Sequence, residues 1–94
     1  MSIKEKLLED MNMAMKSGDK VAVNTYRVLR SQLKNAMIAK GEDISEQDAI
    51  EILSKEVKKR KESIEMYRKG NRADLAEQET KEAEIISRYL PEAL

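Results

Sequence analysis

Four basic residues have the spacing of a single helix face and could bind a row of phosphates. They lie 7, 3 and 4 residues apart, and a helix with about 3.6 residues per turn places such positions side by side. Their charged groups could neutralise successive phosphates of a nucleic acid and release its counterions. This set, called the Lys20–Lys34 face below, consists of Lys20, Arg27, Arg30 and Lys34.

The alternative is that the Lys20–Lys34 face is a solvated surface that only keeps the protein soluble. The chain as a whole is neutral, with 18 basic and 18 acidic residues. The segment from Lys16 to Lys40, however, contains six basic residues and one acid, Asp19, which gives it a local charge of +5. The absence of any acid from residue 21 to residue 39 is unusual for a surface that is merely solvated.

A second group of basic residues follows in a segment of more mixed charge. It consists of Lys55, Lys58 and Lys59, and is called the Lys55–Lys59 group. Glu62 shares its outer helix face, and acids four residues away would neutralise part of its field, so the solvated alternative is stronger here. No aromatic residue is interleaved with either set, so stacking on bases is not indicated.

The residue inventory excludes several kinds of catalysis. The chain has no His and no Cys, which removes the usual proton shuttle, thiol nucleophiles and the commonest metal ligands. Gly18, Gly41 and Gly70 are isolated, so no phosphate-binding glycine loop is present. We therefore expect no catalytic residues, no cofactor and no metal. No apolar run approaches the length of a membrane span, and we expect a cytoplasmic protein without a membrane partner.

The elements that position these residues are predicted to be four helices joined by short loops. The periodicity predicts a first helix from about Ser2, a natural N-cap, to Ser17, and a second from 20 to 40, capped by Asp19. Ser45 and Asp48 form a capping-box pattern that opens a third helix, which stops at Gly70. A fourth helix begins with Asn71 as its cap and ends at Pro91. Residues 1–94 are thus predicted to form one all-α domain, a compact four-helix bundle with no sheet.

Two further features concern packing and possible partners. Arg60 occupies an apolar stripe position, and an antiparallel hairpin about Gly70 places it opposite Glu79 or Glu82, which predicts a partly buried ion pair. Met13 and Met66 lie off the apolar stripes, and are therefore the methionines most suited to contact a partner.

An ordered set of short motifs resembles the YqeY-like family over essentially the whole chain. The set contains Arg27-x-Leu29, Leu33-Lys34-Asn35, the run from Lys55 to Glu65, Arg72-x-Asp74-Leu75 and Tyr89-Leu90-Pro91-Glu92-x-Leu94. The resemblance implies an all-α fold like the C-terminal helical region of the B subunit of the glutamine-dependent aminoacyl-tRNA amidotransferase. Family members usually continue into a second small helical domain, so it also implies that residues 1–94 are the N-terminal domain alone.

The resemblance implies a tRNA-related role and no catalytic residue set. The family that the chain resembles is associated with carbon–nitrogen ligase activity, with glutamine as amide donor. In the amidotransferase that chemistry lies outside the helical region. Our leading hypothesis is an accessory module for tRNA or another structured RNA, with amidotransferase or synthetase components as partners. The rival is a protein-docking module with no nucleic-acid role. A merged positive surface of the two basic sets would favour RNA, whereas sets on opposite sides would favour docking.

Overall fold

The computed structural model describes residues 1–91 and consists of four α-helices. The helices are α1 (Ile3–Ser17), α2 (Lys20–Lys40), α3 (Glu46–Lys69) and α4 (Ala73–Ser87). No strand occurs in this range, so the predicted all-α class is confirmed. The last residues of the terminal motif, 92–94, lie outside the described residues.

Three helix starts have the caps that the sequence predicts. The Ser2 side chain accepts a hydrogen bond from the Glu5 amide, and the Asp19 side chain accepts one from the Ala22 amide at 3.1 Å. Ser45 and Asp48 form a full capping box, in which each side chain binds the other residue's backbone amide. These bonds satisfy amides that have no partner within the helix, which fixes where α1, α2 and α3 begin.

The turn between α3 and α4 differs from its prediction. Asn71 does not cap α4: it has a φ of 57°, in the left-handed region, while Gly70 has an ordinary φ of −88°. The Arg72 amide donates to the Tyr67 carbonyl at 2.8 Å, which closes the end of α3 around Asn71. Asparagine tolerates this conformation better than most residues, so it is used to reverse the chain. Arg72 occupies the N-cap position without a side-chain cap bond.

The end of α4 also differs, because the helix stops at Ser87, four residues before Pro91. Beyond it the Tyr89 and Leu90 amides donate to the carbonyls three residues earlier, as in a tightened final turn. Tyr89 is held by a hydrogen bond from its hydroxyl to Asp10 of α1, and its ring packs edge-on against Tyr26 at 6.2 Å between centroids. These contacts turn the chain towards α1 before the proline is reached.

The four helices pack as two antiparallel hairpins, α1 with α2 and α3 with α4. Each helix contributes one fully buried side chain to a shared core, namely Leu7, Leu29, Leu53 and Ile86. A smaller second core lies towards the α3–α4 turn and contains Ile64, Ala76 and Ala83, with Tyr67 against it. None of the helices is long and apolar enough to cross a membrane, and residues 1–91 contain no cluster of acids suited to a metal.

Candidate nucleic-acid interface

The Lys20–Lys34 face lies on the solvent side of α2, and all four of its side chains are exposed. The opposite side of the helix is buried in the core through Ala22, Tyr26, Leu29 and Leu33. The apolar periodicity of α2 therefore positions the cations, since burying one stripe forces the other outward.

Three of the four cations line one groove between α2 and α1, with a volume of about 720 Å³. Arg27, Arg30 and Lys34 border it from α2, and Lys4 and Leu8 border it from α1. Leu33 and Met37 supply apolar lining. Lys20 is not part of this groove, so the structure brings together three of the four predicted residues and leaves the fourth at the start of the helix.

The cations on α2 are not neutralised by the protein itself. Within residues 1–91, no carboxylate approaches Lys20, Arg27, Arg30 or Lys34 within ion-pair distance, whereas Lys4 Nζ lies 3.0 Å from Asp43 Oδ1. Glu5 also lines the groove, and its hydrogen bonds with Ser2 lower the pKa of that carboxyl. Its one negative charge is outnumbered by the three unpaired cations of α2, so the groove retains a net positive charge for an anionic ligand.

The position of the Lys55–Lys59 group follows from the contact between α2 and α3. Lys40 Nζ lies 3.0 Å from Asp48 Oδ2, and Gln32 Nε2 donates to Glu56 Oε1 at 2.6 Å. In both pairs the residue numbers add to 88, which shows that the helices are antiparallel. Lys55 and Lys59 are therefore level with Leu33 and Leu29 of α2, on the solvent side of α3 that borders α2.

The two basic sets do not merge, although they lie on the same side of the α2–α3 pair. Gln32 contacts α3, and a rotation of about 140 to 200° about the α2 axis separates its side chain from those of Arg27, Arg30 and Lys34. The exposed arc between them has no charge, and it carries Asn24, Val28, Ser31 and Asn35. Lys58 is further around α3, and Glu51 and Glu62 are exposed on the same helix. The surface is two basic rows with a neutral strip between them, so the merged positive surface that would favour RNA is not formed.

Arg60 lies among three carboxylates in the contact between α3 and α4. Its Nη1 donates to Glu82 Oε2 at 2.7 Å and to Glu79 Oε2 at 3.2 Å, the two partners expected from the antiparallel register. Its Nε lies 3.2 Å from Glu56 Oε2, and the Arg60 side chain is only 12% exposed. Burial raises the pKa of Glu82, although the charge of Arg60 opposes that shift. Arg60 is thus held inside the protein and is not available to an external ligand.

Sequence reasoning missed several long-range polar contacts, and two of them join the hairpins through buried or half-buried side chains. One joins Gln32 to Glu56, and links the first hairpin to the Arg60 cluster. The other joins Tyr89 to Asp10, and it raises the pKa of the Tyr89 phenol together with burial. Neither has a local signal, because the partners are 24 and 79 residues apart. Met13 and Met66, singled out for a partner, are 62% and 72% exposed.

The fold and the motifs agree with a known family. The family model described as Yqey-like protein matches residues 4–94, and the chain belongs to this family. It is 36% identical over 90 residues to Uncharacterized protein C22F3.15 of Schizosaccharomyces pombe, covering 96% of this chain and 70% of that protein. It is also similar to two proteins named Altered inheritance of mitochondria protein 41, mitochondrial. The identity is 42% for the one from Lachancea thermotolerans and 39% for the one from Vanderwaltozyma polyspora, each over 85 residues.

These relatives correct one expectation and give the extent of the similarity. The expected cytoplasmic location is wrong, since relatives that match 89% of this chain are named as mitochondrial proteins. The chain spans about half the length of those two relatives, 46% in each case.

Proposed function

We propose that this domain is a non-catalytic RNA-binding accessory module, with tRNA as its ligand, related to the helical part of the amidotransferase B subunit. The components of an aminoacyl-tRNA amidotransferase or synthetase are the corresponding protein partners. Membership of the YqeY-like family supports the general assignment. The RNA-binding role is our inference from the surface of α2.

One observation carries the proposal: Arg27, Arg30 and Lys34 line one groove and have no carboxylate partner within residues 1–91. Other exposed cations, such as Lys6 and Lys61, also have no ion pair within residues 1–91, so what distinguishes the three on α2 is that they lie side by side along one groove. Cations that remain unpaired and adjacent are suited to phosphates, which supply most of the affinity in nucleic-acid binding.

The inventory of side chains argues against chemistry in this domain. Amide hydrolysis or transfer requires an activated nucleophile and a base that orients it. The chain has no His or Cys, and its Ser and Thr hydroxyls that form hydrogen bonds donate to backbone carbonyls or act in helix caps. The glutamine-dependent activity associated with the family therefore belongs, in our proposal, to other parts of the machinery.

The test is to replace Lys20, Arg27, Arg30 and Lys34 together by Gln and to measure tRNA binding across a salt series. Each phosphate contact contributes about 0.7 to 0.9 to the slope of log K against log salt, so we expect the slope to fall by about 3. Gln is nearly as good a helix former as Lys or Arg, so helicity measured by circular dichroism should be retained.

A matched control removes the same number of charges from other surfaces. Lys6, Lys16, Lys61 and Lys69 are exposed and lie off the Lys20–Lys34 face, and their replacement by Gln should change the slope much less. Equal slopes for the two quadruple variants would mean that tRNA senses only net charge, and would contradict the assignment of the face.

A second candidate function, docking of another protein, is favoured by apolar side chains beside the same groove. Leu8 lines the groove and is 42% exposed, and Met15, seven residues further along the same face of α1, is 46% exposed. Failure of the unmutated chain to bind tRNA at low salt would support docking over the RNA proposal.

A further inference from the structure

The exposed strip of α2 between the two basic rows carries hydrogen-bonding groups that the protein does not use. Asn24, Ser31 and Asn35 are exposed, and within residues 1–91 their side chains make no hydrogen bond. They lie 7 and 4 residues apart on one arc of the helix, over about 16 Å of its length. Amide and hydroxyl groups both donate and accept, so the strip can bind neutral polar groups along a line.

Basic residues border this strip on both sides. Arg27 and Lys34 lie on the α1 side, and Lys55 and Lys59 of α3 lie on the other side at the same level. Packed helices are about 8 to 10 Å apart, and side chains extend about 5 to 6 Å from each axis. The two rows of charged groups are therefore on the order of 15 Å apart, with the hydrogen-bonding strip between them.

This surface has no aromatic side chain on which single-stranded bases could stack. The sequence contains no Phe, Trp or His, and Tyr26 is buried. Tyr89 is held against Tyr26 and Asp10, and Tyr67 packs on the second core. Proteins that bind single strands generally supply exposed aromatic side chains as stacking platforms. Two rows of cations without such platforms match two phosphate backbones better than one.

The shape of the surface distinguishes RNA duplexes from DNA duplexes. The minor groove of A-form RNA is wide and shallow, and it displays 2′-hydroxyls between the two backbones. The minor groove of B-DNA is about 6 Å wide, too narrow for a helix that is about 10 Å across, and its major groove admits a helix but displays no 2′-hydroxyls. The exposed face of α2, with its uncharged strip between cations, can therefore contact 2′-hydroxyls in the minor groove of RNA and in neither groove of DNA.

We propose that the α2–α3 surface binds double-helical RNA across its minor groove, with Asn24, Ser31 and Asn35 contacting 2′-hydroxyls while Arg27, Lys34, Lys55 and Lys59 contact the two flanking backbones. This inference rests on the proposed RNA-binding function and specifies the form of RNA. It assigns to three neutral residues the discrimination of RNA from DNA.

The experiment compares three probes: an RNA hairpin with a fully paired stem, a DNA hairpin of the same sequence, and an unstructured single-stranded RNA. The full chain is compared with the N24A/S31A/N35A variant by fluorescence anisotropy. We expect the unmutated chain to prefer the RNA hairpin to both other probes. The triple variant should lose at least about tenfold in affinity for the RNA hairpin, since three uncharged hydrogen bonds are removed, and should bind DNA as before with an unchanged salt slope.

Alanine is a better helix former than Asn or Ser, so a loss of binding in the triple variant cannot arise from unfolding of α2. The control is N12A/S54A, which removes exposed polar groups from α1 and from α3 away from the strip, and should bind all three probes like the unmutated chain. Equal binding of RNA and DNA hairpins, a preference for the single strand, or an unchanged triple variant would each overturn this inference and leave phosphate binding intact. Absence of binding to any RNA probe at low salt would overturn the proposed function itself.

Discussion

Replacement of Arg60 by Met tests whether the buried charge cluster stabilises the second hairpin. Met has a similar length and no charge, so the substitution keeps much of the volume and removes the cation. Three carboxylates would remain, those of Glu56, Glu79 and Glu82, whose side chains are 8%, 23% and 12% exposed. Removing one partner from a buried ionic cluster leaves uncompensated charge, which is strongly destabilising.

The magnitude is large for a domain of this size. With 94 residues and about 0.05 to 0.15 kcal/mol per residue, the expected free energy of unfolding is roughly 5 to 14 kcal/mol. Loss of the Arg60 cation should cost about 3 kcal/mol of it at neutral pH. A change of 1 kcal/mol shifts the midpoint of thermal unfolding by about 4 to 8 °C in domains of this length, so R60M should have a Tm lower by about 15 °C.

The cost should also depend on pH, with a defined sign. Burial already raises the pKa of Glu82 above its ordinary value, so the folded state binds a proton more readily than the unfolded state. A raised carboxyl pKa makes stability increase as pH falls from the folded value towards the ordinary one. Removing Arg60 takes away the attraction that opposes this shift, so protonation should relieve more of the destabilisation. R60M should therefore be less impaired at about pH 5 than at about pH 7.5.

The measurement is thermal and urea unfolding of three proteins at both pH values. R68M is the matched control, because Arg68 is on the same helix, is exposed and has no ion pair within the described chain. The free energy of unfolding of R68M should be within about 0.5 kcal/mol of that of the unmutated protein. Coincident unfolding of R60M and R68M, or a loss in R60M that is identical at both pH values, would refute the reasoning.

Two further predictions concern the backbone and Tyr89. Gly41→Ala should lower the free energy of unfolding by about 1 kcal/mol, because Gly41 has a φ of 78°. Gly70→Ala should be nearly neutral, because Gly70 has a φ of −88° and the added carbon would make ordinary contacts. Equal urea midpoints for the two variants would contradict this. Burial and the bond to Asp10 raise the pKa of Tyr89, so at high pH its phenol should stay protonated while the unfolded chain loses that proton. Stability should fall as pH rises above about 10, the ordinary tyrosine value, and this fall should be smaller in Y89F.

Features encoded by neighbouring residues could be predicted from the sequence. The caps at Asp19 and Ser45 depend on side chains that reach amides three residues away, and the stripe of α2 depends on a fixed period. The sequence could even place Arg60 opposite Glu79, because a short turn determines the register of the two helices that it joins.

Features that depend on how the hairpins meet could not be predicted in this way. Asn71 takes the left-handed conformation that Gly18 and Gly41 take after α1 and α2, because closing α3 requires it one residue after Gly70. The angle between hairpins determines which side of α2 borders α3, and with it the neutral strip between the basic rows. The hydrogen bond from Tyr89 to Asp10 depends on the position of every intervening helix, so no local sequence pattern predicts it.

The contact between the last helix and the first has a consequence for synthesis of the chain on the ribosome. Ile85 and Ile86 belong to the same core as Leu7, Met11 and Leu29, and Tyr89 closes that core against α1. The α1–α2 hairpin emerges first but cannot bury its whole apolar stripe until residues near 90 have left the exit tunnel. The nascent domain therefore completes its core only after α4 has emerged, and its early helices depend until then on solubility supplied by their charged faces.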